Sequence, residues 1–512
     1  MANTKNKSKF IQQIEPWVFF TSTGLIATFV TLTILNRKTS NLFFKSIQNF
    51  ISENFGWLYV FAVNFILIFI LYLGLSKYRK IRIGGQDARP EFSNWAWLSM
   101  LFNAGIGLVL MFYSVAEPIL HYSNPPYGEP NTLFAAKNAF NLTYLHWGLH
   151  GWGVYGLMGL GIAYFCYNFK LPLGIRWILY PILGDRLRGF WGHLIDIMAV
   201  VSTLFGLATT LGLGIQHINF GLDYLFGLPE NVNMQVVLIM VITLFATASV
   251  VSGLHQGIKA LSKLASILVI ILLLFMLLTG PTIFILNNLV QTTGSYLQTL
   301  VGAATRMEIF ERTHWMNNWT FFYWAWWFAW APFVGLFIAR ISKGRTIGEF
   351  IVGVVLAPTA AIIIWVCTFG STAFHLELFK GIDLTKSVNG NIASALFTVL
   401  ENFPLSTVSI FFVVMAGVIF FVTSSDSGSL VIDFITSGGK ERTPVWLRIF
   451  WALLEGIVAS ALVLGGGLIA LQTGSLVTGL PVCILMLLLC YSLLKALKRE
   501  LHVKKQKKLS GQ

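Results

Sequence analysis

The sequence predicts an all-α integral membrane protein of about twelve transmembrane helices, and three observations carry that expectation. The 512 residues are 56% hydrophobic and only 11% charged, with a mean hydropathy of +0.72, far more apolar than a soluble domain. The apolar residues are gathered into runs of about 20, the length of helix that crosses a bilayer core. The basic residues, finally, are sorted by side. With the N-terminus placed in the cytoplasm, the cytoplasmic segments hold Lys5, Lys7 and Lys9, the groups from Lys77 to Arg89, Lys170 to Arg188, Lys259 and Lys263, Arg340 to Arg345, Lys440 to Arg448, and everything from Lys495 on. That is 27 of the 35 Lys and Arg, the positive-inside bias of a chain with an even number of spans and both ends cytoplasmic. The net charge of +14 is therefore explained by topology, and no nucleic-acid partner is expected. The chain opens on a polar, basic stretch and its first apolar run is too long for a cleaved leader, so none is expected.

The runs lie at 17–35, 57–76, 95–118, 140–167, 192–218, 236–254, 264–286, 319–341, 349–370, 408–435, 449–470 and 476–497. The first two carry little polar content and read as lipid-facing padding. A basic loop containing Gly84, Gly85 and Pro90 separates them from the rest. The third run sets Asn103, Ala104, Gly105, Ile106 and Gly107 in mid-helix. Small residues there either let another helix approach closely or let this one open, freeing backbone groups to bind an ion and an anionic ligand. Glu117, just before Pro118, falls at the outer end, where a structural or gate role suits it better than a buried charge.

The fourth run places His146, Trp147, His150, Trp152 and Tyr155 within a few turns. The two histidines share a face, but the sequence nearby supplies no acid or cysteine, so hydrogen-bonded structural histidines are expected rather than a metal site. Thr203, Thr209 and Thr210 on the fifth run are expected to bond back to their own helix. The stretch 287–318 mixes an apolar segment with Glu308 and Arg312 and reads as an amphipathic helix along the outer surface. Cys166, Cys367, Cys483 and Cys490 lack metal-ligand spacing and read as packing residues.

The eighth run, WTFFYWAWWFAWAPF from Trp319, is the most unusual. Helical spacing puts Tyr323, Trp327 and Trp330 on one face with Trp326 beside them. Tryptophans often anchor helix ends at the membrane interface. Here Trp326, Trp327 and Trp330 lie in the middle of the run, where a wall of electron-rich rings can hold a desolvated cation, each well-placed ring contributing about 2 kcal/mol. Pro332 follows and removes a backbone donor. On the tenth run, Thr423, Ser424, Ser425, Asp426 and Ser427 form an oxygen-rich cluster suited to a hard cation, sodium first, or else to a polar knot between helices.

Four segments together, WAWWFAWAPFVGLFIARISKGRTIGEF, HWGLHGWGVY, FVTSSDSG and MLFNAGIGLVLMFYSVAEP, resemble the betaine/carnitine/choline transporter family over most of the chain from Trp95 onward. The resemblance implies two inverted five-helix repeats (LeuT-type fold) preceded by two extra helices, and a homotrimer. In domain terms it implies 1–94 as terminus and two peripheral helices, 95–286 as the first repeat, 287–316 as an external helix, 317–497 as the second repeat and 498–512 as a basic cytoplasmic tail. It implies a substrate cage from Trp147, Trp152, Tyr155, Trp326, Trp327 and Trp330, with the backbone at Gly105, Ile106 and Gly107 alongside. It maps a sodium site to Thr423 and Ser424 with backbone oxygens around Ala104 and Ile106, and a second to Thr203 and Phe333.

Two positions depart from the family pattern. Val109 replaces the third glycine of Gly-x-Gly-x-Gly, where proton-linked choline carriers tend to have an acid, and leaves the substrate open among glycine betaine, carnitine and choline. Leu207 replaces the other threonine of the second sodium site. The implied activity is import of a quaternary ammonium compatible solute across the bacterial cytoplasmic membrane, with sodium as coupling ion and no other cofactor. Sodium-independent exchange and proton-linked choline uptake are the rivals in class, and a membrane enzyme using His146, His150 and Asp426 the rival from outside it.

Overall fold

In the computed structural model, residues 12–105, 107–251, 255–311, 313–440 and 443–509 are described. Among them every regular element is helical, apart from one isolated antiparallel bridge between Arg82 and Thr346. Lipid offers the backbone no water to bond to, and a helix closes its own hydrogen bonds within one segment. The long helices are α1 Pro16–Leu35, α2 Arg37–Leu75, α3 Asn94–Gly105, α4 Leu108–Ser123, α5 Leu133–Trp147, α6 Leu149–Asn168, α7 Phe190–Phe226, α8 Val232–Val251, α9 His255–Thr279, α10 Thr282–Ala304, α11 Thr320–Ile341, α12 Ile347–Phe379, α13 Ser406–Thr436 and α14 Val445–Leu509. By length and composition, nine helices among the described residues can cross a membrane.

Nine and the expected twelve part at identifiable places. The third and fourth apolar runs are each divided at a glycine, Gly107 and Gly148, and the last two run on as α14, kinked at Gly467 in the left-handed region (φ 55°). Other boundaries move as well. The run at 264–286 stops at Thr279, where Gly280 and Pro281 intervene, so α10 begins inside the range assigned to the first repeat rather than at 287. Proline has no N–H to continue the ladder and fixes the turn there. At the other end, α14 carries the helix to Leu509, well into the expected tail.

The tryptophan-rich α11 is the hub. Of its most apolar window 83% is buried, against 28% for each of 232–249 and 260–279. It packs against α6, α7 and α14, while α8 and α9 leave most of their apolar windows unburied. α1 has 33% of its apolar window buried and packs on α7 and α14. α2 is not only padding: its Tyr59 hydroxyl donates to the Leu476 carbonyl at 2.6 Å, and Ile70 fills the space above Gly156 of α6.

The positive cluster after α11 has a structural use. Gly344 and Ile347 donate backbone N–H groups to Ile83 and Ile81, and Arg345 accepts from Ile83, which stitches the basic loop after α2 to the entrance of α12. The Arg345 guanidinium lies 4.7 Å over the Trp97 ring and donates to the Phe92 carbonyl at 2.7 Å. Thr346 and Glu349 then close a reciprocal capping box on the first turn of α12. All four cysteines are buried and free, as packing residues should be.

Candidate functional site

The interruption between α3 and α4 falls in the middle of the third apolar run. α3 ends at Gly105, Gly107 is extended (φ −131°, ψ −179°), and α4 starts at Leu108 with no side chain capping it. Of the two readings of this small-residue stretch, the opened helix is the one observed. Leu110 and Met111 donate to the Gly107 carbonyl, and the first amides of α4 precede any intrahelical partner. Gly107, Leu108 and Val109 line a cavity of about 480 Å³. Ile106 and the side chains of Phe102, Asn103, Ala104 and Gly105 lie outside the described residues.

The same cavity is walled by Trp147, Trp152, Tyr155, Trp326, Trp327 and Trp330. Trp327 is the centre of that wall: its ring lies 4.6 Å from Tyr155, 6.1 Å from Trp152 and 6.3 Å from Trp147. Trp147 stands edge-on to Trp326 at 5.8 Å, and Trp330 follows Trp326 at 6.4 Å. These rings face an interior space, unlike Trp17, Trp57 and Trp95, which are exposed as interfacial anchors are. The break at Gly148 lets α5 and α6 present Trp147 and Trp152 from separate helices. Gly151 and Gly206 make room behind, since a Cβ at either would lie 2.3 Å from the Trp327 ring or 2.5 Å from the Trp330 ring. The Trp327 indole donates to the His146 carbonyl at 2.8 Å, which fixes the ring plane.

Thr423 and Ser424 line the cavity with Gly107, so the hydroxyl pair and the opened third run share one space. The Thr423 hydroxyl donates to the Ile419 carbonyl at 2.9 Å, which leaves its oxygen lone pairs for a cation. The expected partners Ala104 and Ile106 belong to the undescribed part. The second pair is not brought together in the same way. Phe333 lines the cavity, 5.3 Å from Trp330, whereas Thr203 does not; its hydroxyl is buried with no hydrogen-bond partner among the described residues. Thr209 and Thr210 bond back to Phe205 and Gly206, as hydroxyls in membrane helices do. Leu207 presses instead against Gly428 of α13.

Glu117, expected as a structural or gate group rather than a buried charge, is fully buried. Its carboxylate accepts from two histidines, His146 and the one a turn further along its own helix, and from two rings: His146 Nδ1 at 2.6 Å and His121 Nε2 at 3.1 Å on Oε1, Trp147 Nε1 at 2.8 Å and Tyr323 Oη at 2.5 Å on Oε2. His146 therefore does have an acidic neighbour, 29 residues away in sequence. His150 turns elsewhere, to Asn64 at 3.2 Å, so the shared helix face of the two histidines does not become a shared site. Phe420, one turn before Thr423, also lines the cavity and carried no signal in the sequence.

A family model for the betaine/carnitine/choline transporters (BCCT) matches residues 17–502. The chain belongs to this family. Relatives of this BCCT transporter include a glycine betaine transporter of Acinetobacter baylyi, 42% identical over 97% of this chain and 75% of its own length. A high-affinity choline transport protein of Escherichia coli is 40% identical over 98% of this chain and 74% of its own. A probable glycine betaine transporter of Desulfitobacterium hafniense is 39% identical over 94% of this chain and 97% of its own. The protein is a multi-pass membrane transporter and not an enzyme.

Proposed function

We propose that this BCCT transporter imports a small quaternary ammonium solute, of the glycine betaine, carnitine or choline class, by sodium symport. The observation that carries the reading is the wall of indoles around one cavity, centred on Trp327. A trimethylammonium group offers no hydrogen-bond donor, and ring faces supply the attraction that hydrogen bonds cannot. The bare N-terminus of α4 opens on the same cavity and suits a carboxylate, through free amides and the positive end of the helix dipole. The named relatives transport glycine betaine and choline, which supports the class without choosing within it. Val109, lining the cavity, brings no acid there and speaks against the proton-linked choline mode.

Sodium would be held by Thr423 and Ser424 with backbone oxygens around Ala104 and Ile106. An ion spanning the third and tenth runs would favour one arrangement of two inverted five-helix repeats, with α1 and α2 outside them, so that ion and solute binding become linked in alternating access. The second site, Thr203 with Phe333, is the weaker, because Leu207 offers no oxygen. The reading places the protein in the bacterial cytoplasmic membrane as a homotrimer, both ends inside, with lipid around it.

Purified protein in proteoliposomes, given labelled glycine betaine, carnitine and choline, is expected to accumulate at least one of them under an inward sodium gradient and not under potassium. Accumulation by counterflow alone, indifferent to sodium, would establish the exchange reading instead. Thr423→Val is expected to raise the sodium concentration for half-maximal uptake about tenfold, the loss of one ligand oxygen to a cation. An unchanged sodium dependence would remove Thr423 from the ion site.

A further inference from the structure

We propose that Glu117 is a specificity-determining residue, a fixed negative charge that acts through Trp147 and Tyr323 to make the cavity select a cation over a neutral molecule of the same shape. The inference rests on the quaternary ammonium reading above. Four donors converge on the two carboxylate oxygens, the coordination of an ionised group, and the pattern closes with each imidazole giving Glu117 a single N–H. The Nε2 of His146 meets the Thr320 hydroxyl at 3.0 Å, and the Nδ1 of His121 has no partner among the described residues. The carboxylate itself lies in a low-dielectric interior, where the field of a charge reaches further than in water.

That field is directed at the cage. Trp147 is a cage ring, and its N–H points at Glu117 at 2.8 Å, so the carboxylate pushes electron density into the indole and deepens the negative potential of its faces. Tyr323, bonded to the same oxygen, stands 5.4 Å from Trp147 and 6.2 Å from Trp326. Trp327 is the internal contrast: its N–H goes to a neutral carbonyl, that of His146. A knot whose only use was to hold helices together would treat charged and uncharged ligands alike.

The test uses the full-length protein and the solute the wild type transports, choline or glycine betaine, paired with the isostere in which a tert-butyl group replaces trimethylammonium. Competition against labelled solute gives both affinities. Glu117→Gln is expected to weaken the ammonium compound about tenfold while changing the isostere less than about threefold. Equal losses for the two overturn the proposal and leave Glu117 a structural tie. Should the glutamine variant not elute as folded protein, Trp147→Phe and Trp327→Phe are compared. Discrimination falls more in the first if the Glu117 charge acts through Trp147, and equally in both if it does not. A wild type that binds neither choline nor glycine betaine refutes the transport reading itself, an outcome separate from either of these.

Discussion

Trp327→Leu is expected to abolish uptake, lowering it at least about a hundredfold, while the protein remains folded. The ring is the shared neighbour of Tyr155, Trp152 and Trp147, so its loss removes one face of the cage and the support of the others. One well-placed indole contributes about 2 kcal/mol to a desolvated cation, which alone is about thirtyfold. Tyr155, 4.6 Å away, then keeps only Trp152, at 5.6 Å, as a ring neighbour and shifts toward the space, which brings the loss beyond a hundredfold. Folding is expected to survive because the ring borders an existing cavity, so truncation enlarges a void without opening one in close-packed core. Elution volume and thermal midpoint in detergent check that half, and initial uptake rate in proteoliposomes checks the other. Trp327→Phe, which keeps an aromatic face and loses the bond to the His146 carbonyl, is expected between the two. Uptake unchanged in Trp327→Leu would remove the cage from the mechanism.

What could be read in the sequence followed from local rules. Helical spacing within 319–341 put Tyr323, Trp327 and Trp330 on one face; Trp327 and Trp330 do border the cavity, whereas Tyr323 turns its hydroxyl to Glu117. The small residues at 103–107 signalled an interruption because glycine weakens a helix wherever it stands. The Thr423 and Ser424 oxygens were conspicuous against an apolar run, and they too reach the cavity. Glu117 was misread for the complementary reason. His121, one turn on, is its one local partner; His146, Trp147 and Tyr323 stand 29, 30 and 206 residues away, so the sequence around it does not show that the charge is buried and satisfied. The same limit applies to His146, whose acid comes from another helix. Boundaries failed where hydropathy is smooth but backbone chemistry is not: the run at 264–286 is apolar to its end, yet Gly280 and Pro281 break it.

The second large effect tests the cage from behind, without touching a ring. Gly151→Ala is expected to reduce uptake at least about tenfold, although alanine is the better helix former by up to about 1 kcal/mol. A Cβ on residue 151 would lie 2.3, 2.5 and 2.6 Å from three atoms of the Trp327 ring, far inside contact distance. The ring cannot yield cheaply, since its N–H is tied to the His146 carbonyl at 2.8 Å and Tyr155 backs it at 4.6 Å. It must swing into the cavity or force α6 and α11 apart, and either displaces the face a methylated nitrogen would use. Two residues on in the same helix, Gly153 supplies the control. A Cβ there meets Leu67 at 3.4 Å, an ordinary contact, so Gly153→Ala is expected to transport nearly as well as wild type and to be slightly more stable. The pair separates a general need for glycine in α6 from a specific need for space behind Trp327. If both alanine variants transport alike, the orientation of that indole does not limit uptake, and a cage built on it cannot be what selects the solute.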